Sequence, residues 1–190
     1  MKLELRRAIM HSLICGVIIF ASLKMRIVWH LFFLLIFGLI ISILSLKYKI
    51  PVIRECLKIF EKPRYIKTFP GKGVLFLIAG CLFVLKFFSQ EIALASITIL
   101  AIGDPVSHLV SGNFKEKILK KKSLSGFILS VMLSSITASI FVPFGYALIA
   151  AIAAMISEIL IIKLGEDPID DNIIIPAVAG TVLYLLINYI

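Results

Sequence analysis

EIALASITILAIGDPVSHLVS, residues 91–111, is the stretch that decides the fold, because it is long and apolar enough to cross a bilayer, which takes about 20 such residues. Its apolar residues are continuous rather than alternating, which predicts a helix and not a strand of a barrel. A carboxylate inside a membrane helix is costly unless it is paired, hydrated or bound to a metal. Asp104 is therefore a candidate functional residue.

Six further apolar stretches accompany this one. The 190-residue chain is 61% hydrophobic and 16% charged, whereas about a quarter of the residues are charged in a soluble domain. We predict one all-α domain, residues 1–190, built as a bundle of about seven transmembrane helices. The predicted spans are residues 8–23, 27–45, 73–88, 91–111, 124–142, 145–162 and 173–190.

Lys and Arg are unevenly divided between the two ends of these spans. Seventeen of the 20 lie at the N-terminus, in residues 46–72, in residues 112–123 and at Lys163. Because cytoplasmic loops carry the excess of Lys and Arg, we expect a cytosolic N-terminus and an external C-terminus. The small size favours a prokaryotic plasma membrane. The net charge of +9 then reflects topology, and no nucleic-acid partner is expected.

Residues 51–62, PVIRECLKIFEK, predict a short helix at the membrane surface. Pro51 is favoured at a first helical position, and Cys56 and Phe60 lie on one apolar stripe. The Lys and Arg side chains of this segment are suited to anionic lipid headgroups. The alternative is an ordinary basic linker.

Asp104 shares a helix face with Ser107, His108 and Ser111, which follow it at positions i+3, i+4 and i+7. At about 1.5 Å per residue, Asp104 is expected on the order of 12 Å below the membrane surface. The alternative is that Asp104 only caps a helix that restarts at Pro105, because Asp is favoured at the N-cap and Pro at the next position.

Three more acidic residues are predicted at the same membrane face. Glu158 lies in the sixth span, and Asp170 and Asp171 precede the seventh. Since Mg²⁺ prefers carboxylates, waters and phosphate oxygens, Asp104, Glu158 and Asp171 are candidate ligands. The alternatives are that Glu158 pairs with a basic group of another helix, and that Asp170 or Asp171 caps the last helix.

The loop at residues 113–126 is a candidate phosphate site. Lys121 and Lys122 offer point charges, while Ser123 and Gly126 lie where a helix start exposes backbone N–H groups. An ordinary basic cytosolic loop is the alternative. Taken together, metal-binding carboxylates, phosphate-binding lysines and access to lipid indicate phosphoryl transfer to a membrane alcohol.

These residues resemble the dolichol, phytol and polyprenol kinase family, which includes a CTP-dependent diacylglycerol kinase. The similarity spans most of the chain. The motifs that carry it are Arg6-Arg7 with His11, Pro70-Gly71-Lys72-Gly73, Gly103-Asp104, Lys122-Ser123-Leu124-Ser125-Gly126, Glu158, and Asp171-Asn172 with Pro176.

The resemblance implies an enzyme that transfers the γ-phosphate of a nucleotide, CTP in preference to ATP, to the hydroxyl of an isoprenoid alcohol such as a polyprenol or dolichol, or of a diacylglycerol. Mg²⁺ is then expected on Asp104, Asp171 and Glu158. The expected nucleotide-binding residues are Lys121, Lys122, Ser123, Gly126, Arg6 and Arg7. Asp170 and His108 are candidates for the general base on their protonation chemistry.

Two other functions use the same features. A CTP-dependent cytidylyltransferase that makes a CDP-lipid needs a similar basic loop and metal site. A small transporter, with Asp104 and Glu158 on an ion path, is less favoured because the polar groups crowd one face and no internal repeat is evident.

The expected orientation is testable by cysteine accessibility. Cys56 is a natural probe in the first basic loop, and Arg26→Cys reports the opposite side. A membrane-impermeant maleimide should reach Cys56 only from the cytosol and the introduced cysteine only from outside. Reaction of Cys56 from outside alone would overturn the orientation.

Overall fold

The computed structural model describes residues 3–48, 51–61, 63–112, 123–160, 163–164 and 167–190. These ranges are helical apart from turns and one antiparallel pair of two-residue strands, in which Lys163 pairs with Pro168. The elements are α1 Leu3–Lys24, α2 Val28–Lys47, α3 Pro51–Phe60, α4 Pro63–Thr68, α5 Lys72–Phe87, α6 Gln90–Ser111, α7 Leu124–Ala138, α8 Phe144–Ile159, β1 Lys163–Leu164, β2 Asp167–Pro168 and α9 Asp171–Tyr189.

The predicted all-α membrane fold is confirmed. Each of the seven predicted spans coincides with a long helix, namely α1, α2 and α5 to α9. Four of them, α1, α2, α6 and α9, are long and apolar enough to cross a membrane, whereas α7 and α8 are apolar but shorter. The chain is therefore a multi-pass membrane protein.

The short helix predicted at residues 51–62 occurs as α3, and a separate helix, α4, follows it. Pro63 begins α4 at the first helical position, where a missing N–H is tolerated. Between the two helices, the buried carboxylate of Glu61 accepts a hydrogen bond from the N–H of Gly73 at 3.4 Å. This contact ties the turn between α3 and α4 to the start of α5.

The long helices alternate in direction, which gives the bundle two distinct ends. At one end the N–H of Ser123, just before α7, donates to the hydroxyl of Ser111 at the end of α6. At the other end the side chain of Gln90, which begins α6, donates to the carbonyl of Ser22 near the end of α1. We call the first the site end: α1, α5, α7 and α9 begin there, and α2, α6 and α8 end there.

Helix α6 lies at the centre of the bundle. Its residues 92–101 are all buried, and it packs against α1, α5, α7, α8 and α9. Gly103 allows close approach, because a Cβ there would meet the sulfur of Met155 in α8 at 2.7 Å and Ser134 in α7 at 3.8 Å. Helix α2 instead packs on α5 and exposes apolar side chains such as Trp29, as expected of a surface that faces lipid.

Pro105 interrupts the hydrogen bonds of α6 without ending the helix. Its nitrogen carries no hydrogen, so the carbonyl of Ala101 loses its helical donor. The hydroxyl of Ser12 in α1 donates to that carbonyl at 2.8 Å instead. Helix α6 therefore runs unbroken through Asp104, and the alternative that Asp104 caps a restarted helix is wrong.

Pro176 has the same effect in α9, where the carbonyl of Asn172 loses its helical donor. Helix α5 passes directly against this carbonyl at Gly80. A Cβ atom on Gly80 would overlap the carbonyl oxygen of Asn172 and lie 3.2 Å from Cγ of Pro176. Glycine at this position is what allows α5 and α9 to pack so closely.

The contact at Gly80 predicts a large difference between two Gly→Ala variants. Gly80→Ala should destabilise the protein by about 1–3 kcal/mol, because the backbone of α9 must move to admit the methyl group. Gly16→Ala in α1 is the control, since a Cβ there has no neighbour within 4 Å, and removing a mid-helix glycine gains roughly 0.5–1 kcal/mol. Thermal unfolding in mild detergent, followed by circular dichroism, measures both. Equal stability of the two variants would contradict the packing argument.

Candidate functional site

Three carboxylates and one imidazole meet at the site end. Asp104 and His108 come from consecutive turns of α6, Glu158 from the last turns of α8 and Asp171 from the first turn of α9. One ligand atom from each of the four lies within 4.8 Å of the others. We call these four residues the carboxylate cluster. It contains three residues that the sequence analysis proposed as metal ligands.

The carboxylate cluster is buried on one side and open on the other. The side chain of Glu158 is 1% exposed and that of Asp104 16%, whereas that of His108 is 52% exposed. The Nε2 atom of His108 lies 3.2 Å from Asp104 Oδ1 and 3.8 Å from Glu158 Oε1. Because carboxylates this close repel one another and lose hydration, a positive charge among them would stabilise the cluster.

The donor set fits a hard divalent cation. Carboxylate oxygens are the ligands that Mg²⁺ and Mn²⁺ prefer. At a metal–ligand distance of about 2.1 Å, opposite ligand atoms lie about 4.2 Å apart. The four ligand atoms of the cluster lie within 4.8 Å of one another, so a small inward movement of the side chains would let them bind one ion. Asp104, Glu158 and Asp171 as metal ligands remain a prediction. His108, considered as a general base, lies inside this group rather than beside it.

Asp170 is the N-cap of α9. Its Oδ1 accepts hydrogen bonds from the backbone N–H of Asn172 at 3.2 Å and from the side-chain amide of Asn172 at 2.8 Å. Burial raises the pKa of the Asp170 carboxyl above its ordinary value, while the bonds from Asn172 and the charge of Lys72 offset part of that shift. The alternative that Asp170 caps the last helix is therefore correct, and capping occupies only one of its two oxygens.

His11 forms the α1 side of the site. Its Nε2 lies 2.8 Å from Oδ1 of Asn172 and 4.0 Å from Oδ2 of Asp104. Its Nδ1 is buried without a hydrogen-bond partner among the described residues. The sequence supplied His11 and Asn172 only as parts of motifs. The two residues are 161 positions apart in the sequence, so no local sequence pattern could predict their contact.

Of the two N-terminal arginines, the structure places Arg7 near the site. A guanidinium nitrogen of Arg7 lies 3.6 Å from the position that a Cβ atom on Gly73 would occupy. The side chain is therefore beside the start of α5. Arg6 makes no ion pair with any described residue. Nucleotide binding by either arginine remains a prediction.

Lys72 is a cation near the site that sequence reasoning left without a role. Its ammonium lies over the rings of Tyr65 and Phe76, at 4.9 and 5.4 Å from their centroids. It forms no salt bridge with a described carboxylate, yet its charge acts on Asp170. The sequence feature that could have indicated it is the motif Pro70-Gly71-Lys72-Gly73. Gly71 in this motif has a φ of 77°, which only glycine adopts readily.

The predicted phosphate loop is described only at its end. Lys121 and Lys122 lie outside the described residues. Ser123 caps α7, and its hydroxyl accepts the N–H of Gly126 at 3.0 Å. These two groups are thus already paired with each other, while the backbone N–H of Ser123 donates to Ser111 at the end of α6. A direct phosphate contact from Ser123 or Gly126 remains a prediction.

Two curated relatives are similar to this chain. CTP-dependent diacylglycerol kinase 1 of Saccharomyces cerevisiae is 25% identical over 152 residues, which cover 76% of this chain and 52% of the relative. CTP-dependent diacylglycerol kinase 1 of Schizosaccharomyces pombe is 31% identical over 134 residues, which cover 60% of each. The chain thus spans between half and two thirds of the length of these relatives. The resemblance to CTP-dependent lipid kinases is confirmed.

Two other comparisons give no match. No family model matches the chain. No solved structure matches it either.

The carboxylate cluster predicts saturable binding of a divalent cation without any substrate. Mn²⁺ should raise the unfolding temperature of the purified protein. Asp171→Asn should lower the affinity for Mn²⁺ at least about tenfold, because losing even an outer partner of a metal ligand lowers affinity by that much. Glu55→Gln is the control, because Glu55 is exposed and paired with Lys58 at 2.6 Å. Titration followed by thermal shift measures the affinities. Equal Mn²⁺ binding by the two variants would exclude the cluster as the site.

Proposed function

We propose that this protein is a lipid kinase that transfers the γ-phosphate of CTP to the hydroxyl of a membrane lipid. One observation carries the proposal: carboxylates from three helices converge at the bundle end whose loops hold most of the Lys and Arg. The similarity to two CTP-dependent diacylglycerol kinases supports the same chemistry. Because CTP is cytosolic, the site end faces the cytosol in this proposal.

Phosphoryl transfer depends mainly on positioning and on neutralising charge. A Mg²⁺ ion held by Asp104, Glu158 and Asp171 would neutralise charge on the nucleotide phosphates. Lys72 and Arg7 approach the site from α5 and α1 and suit the remaining phosphate charge.

Asp170 is better placed than His108 to receive the proton of the lipid hydroxyl. No described residue bonds to Oδ2 of Asp170, whereas Nε2 of His108 faces Asp104 at 3.2 Å. A base must have a free acceptor atom within reach of the proton that it takes. Asp170 offers such an acceptor atom, Oδ2, without any rearrangement of the carboxylate cluster.

The acceptor hydroxyl reaches the site from the bilayer. Asp104 precedes the end of α6 at Ser111 by two turns, or about 10 Å. This depth matches an alcohol just below the lipid headgroups. We favour a diacylglycerol, since the relatives are named for it, and an isoprenoid alcohol is the alternative with the same reacting group. A prokaryotic plasma membrane remains the proposed location.

Two radioactive labels separate this reaction from its alternative. Purified protein is incubated with Mg²⁺, a lipid panel of diacylglycerol, polyprenols and phosphatidic acid, and CTP labelled at the γ- or the α-phosphate. Kinase activity transfers only the γ label to lipid and releases CDP. A cytidylyltransferase joins the α-labelled CMP group of CTP to the phosphate of phosphatidic acid, which gives a CDP-lipid and releases pyrophosphate. Labelled ATP in parallel tests the preference for CTP.

Substitutions in the carboxylate cluster test whether it is the reaction site. Asp104→Asn keeps size and shape but removes charge, so turnover should fall by about three orders of magnitude or more in a folded protein. Asp171→Asn should act similarly, and the double variant should be little worse than either single one, because residues that act as a unit are not additive. Unfolding temperature checks folding, and Glu55→Gln again serves as control. Near-normal turnover by folded Asp104→Asn would refute the site.

A further inference from the structure

The side chain of Asn172 connects three parts of the site end. Its Oδ1 lies 2.8 Å from Nε2 of His11 in α1. Its Nδ2 donates to Oδ1 of Asp170 at 2.8 Å and to the carbonyl of Gly73 in α5 at 3.3 Å. Both amide hydrogens and the carbonyl oxygen therefore have partners on different elements.

These partners determine the orientation of the amide. The carboxylate of Asp170 and the carbonyl of Gly73 only accept hydrogen bonds, so the NH₂ group of Asn172 must face them. Its Oδ1 then faces His11 and requires a hydrogen on Nε2 of the imidazole. The same Nε2 lies 4.0 Å from Asp104, which brings this network to the edge of the carboxylate cluster.

The backbone of Asn172 is fixed as well. Its N–H donates to Asp170, and its carbonyl, freed by Pro176, packs against Gly80 of α5. The residue next to Asp171 is thus held by main chain and side chain together. Little freedom is left for the first turn of α9.

We propose that Asn172 is a positioning residue that sets where Asp170 and Asp171 stand relative to Asp104. This inference rests on the proposed function, because it explains how one part of that site is aligned. Asn172 acts through the two aspartates beside it. Sites of this kind require their ligands to be held within roughly 0.5 Å, which a fully satisfied polar network can provide.

A purely structural role for Asn172 makes different predictions. If the network only fastens α1, α5 and α9 together, its loss lowers the unfolding temperature and leaves the cation affinity of the folded protein unchanged. A positioning role lowers cation affinity by roughly 10–100-fold, as outer partners of metal ligands generally do. Mn²⁺ affinity therefore separates the two roles.

Asn172→Asp is the main test variant. It keeps an oxygen that can accept from His11 but removes both N–H donors of the amide. It also places a second carboxylate beside Asp170, where Nδ2 of Asn172 now lies 2.8 Å from Oδ1 of Asp170. We expect Mn²⁺ affinity to fall by roughly 10–100-fold and kcat for lipid phosphorylation to fall, with the KM for the lipid unchanged. Asn188→Asp is the matched control, because among the described residues Asn188 bonds within α9, to the carbonyl of Tyr184 at the far end of that helix.

A double variant tests for rescue. In Asp170→Asn/Asn172→Asp an amide and a carboxylate again face each other with reversed polarity, so Mn²⁺ affinity should recover relative to Asn172→Asp alone. His11→Gln and His11→Ala test the same hydrogen-bond network without changing a residue of α9. The Gln amide can still donate to Oδ1 of Asn172, so only His11→Ala should weaken Mn²⁺ binding.

The outcomes separate this inference from the proposed function. Failure of the unaltered protein to bind Mn²⁺ or to phosphorylate lipid would overturn both. Normal binding and turnover in the unaltered protein, with Mn²⁺ affinity unchanged in folded Asn172→Asp and His11→Ala, would overturn the positioning role alone. Weaker Mn²⁺ binding that the double variant restores would support it.

Discussion

The burial of carboxylates at one end of α6 is the constraint on which the rest of the site depends. Moving an ionised group out of water costs several kcal/mol even after the protein relaxes, and the side chain of Glu158 is 1% exposed. Compensation must come from groups that reach the same point. His108 does so within α6, Asn172 bonds to Asp170 at the start of α9, and a bound divalent cation would add a positive charge at the same point. Each helix that meets here is therefore positioned by charge as well as by apolar packing.

Two prolines make this convergence possible. Pro105 follows Asp104 directly, and Pro176 lies one turn beyond Asn172. Each frees a backbone carbonyl that another helix then uses: Ser12 of α1 donates to one, and α5 packs against the other. A proline inside a helix costs about 3 kcal/mol, and at Pro105 the hydrogen bond from Ser12 offsets part of that cost. The same local features fix the packing and the site.

Much of this could be predicted from sequence because long apolar runs determine the helices, and the bias of Lys and Arg puts Asp104, Glu158 and Asp171 at one end. The continuity of α6 through Pro105 could not be predicted, since it depends on a hydroxyl from α1. The pairing of His11 with Asn172 and the position of Lys72 over the rings of Tyr65 and Phe76 are likewise consequences of tertiary packing. A local sequence pattern shows that these residues are present but not which of them are close in space.

The far half of the bundle argues for chemistry at one face rather than passage through the membrane. Below the site, α6 is buried over residues 92–101, and its polar side chains there are satisfied within the helix: Ser96 donates to the carbonyl of Ile92 and Thr98 to that of Leu94. Among the described residues, the buried charged side chains are Glu61 and Glu158, both at the site end. An ion path needs polar groups that stay available along its length. Since those of α6 are occupied within the helix, α6 offers no such path below the carboxylate cluster, which agrees with the proposed phosphoryl transfer at one face.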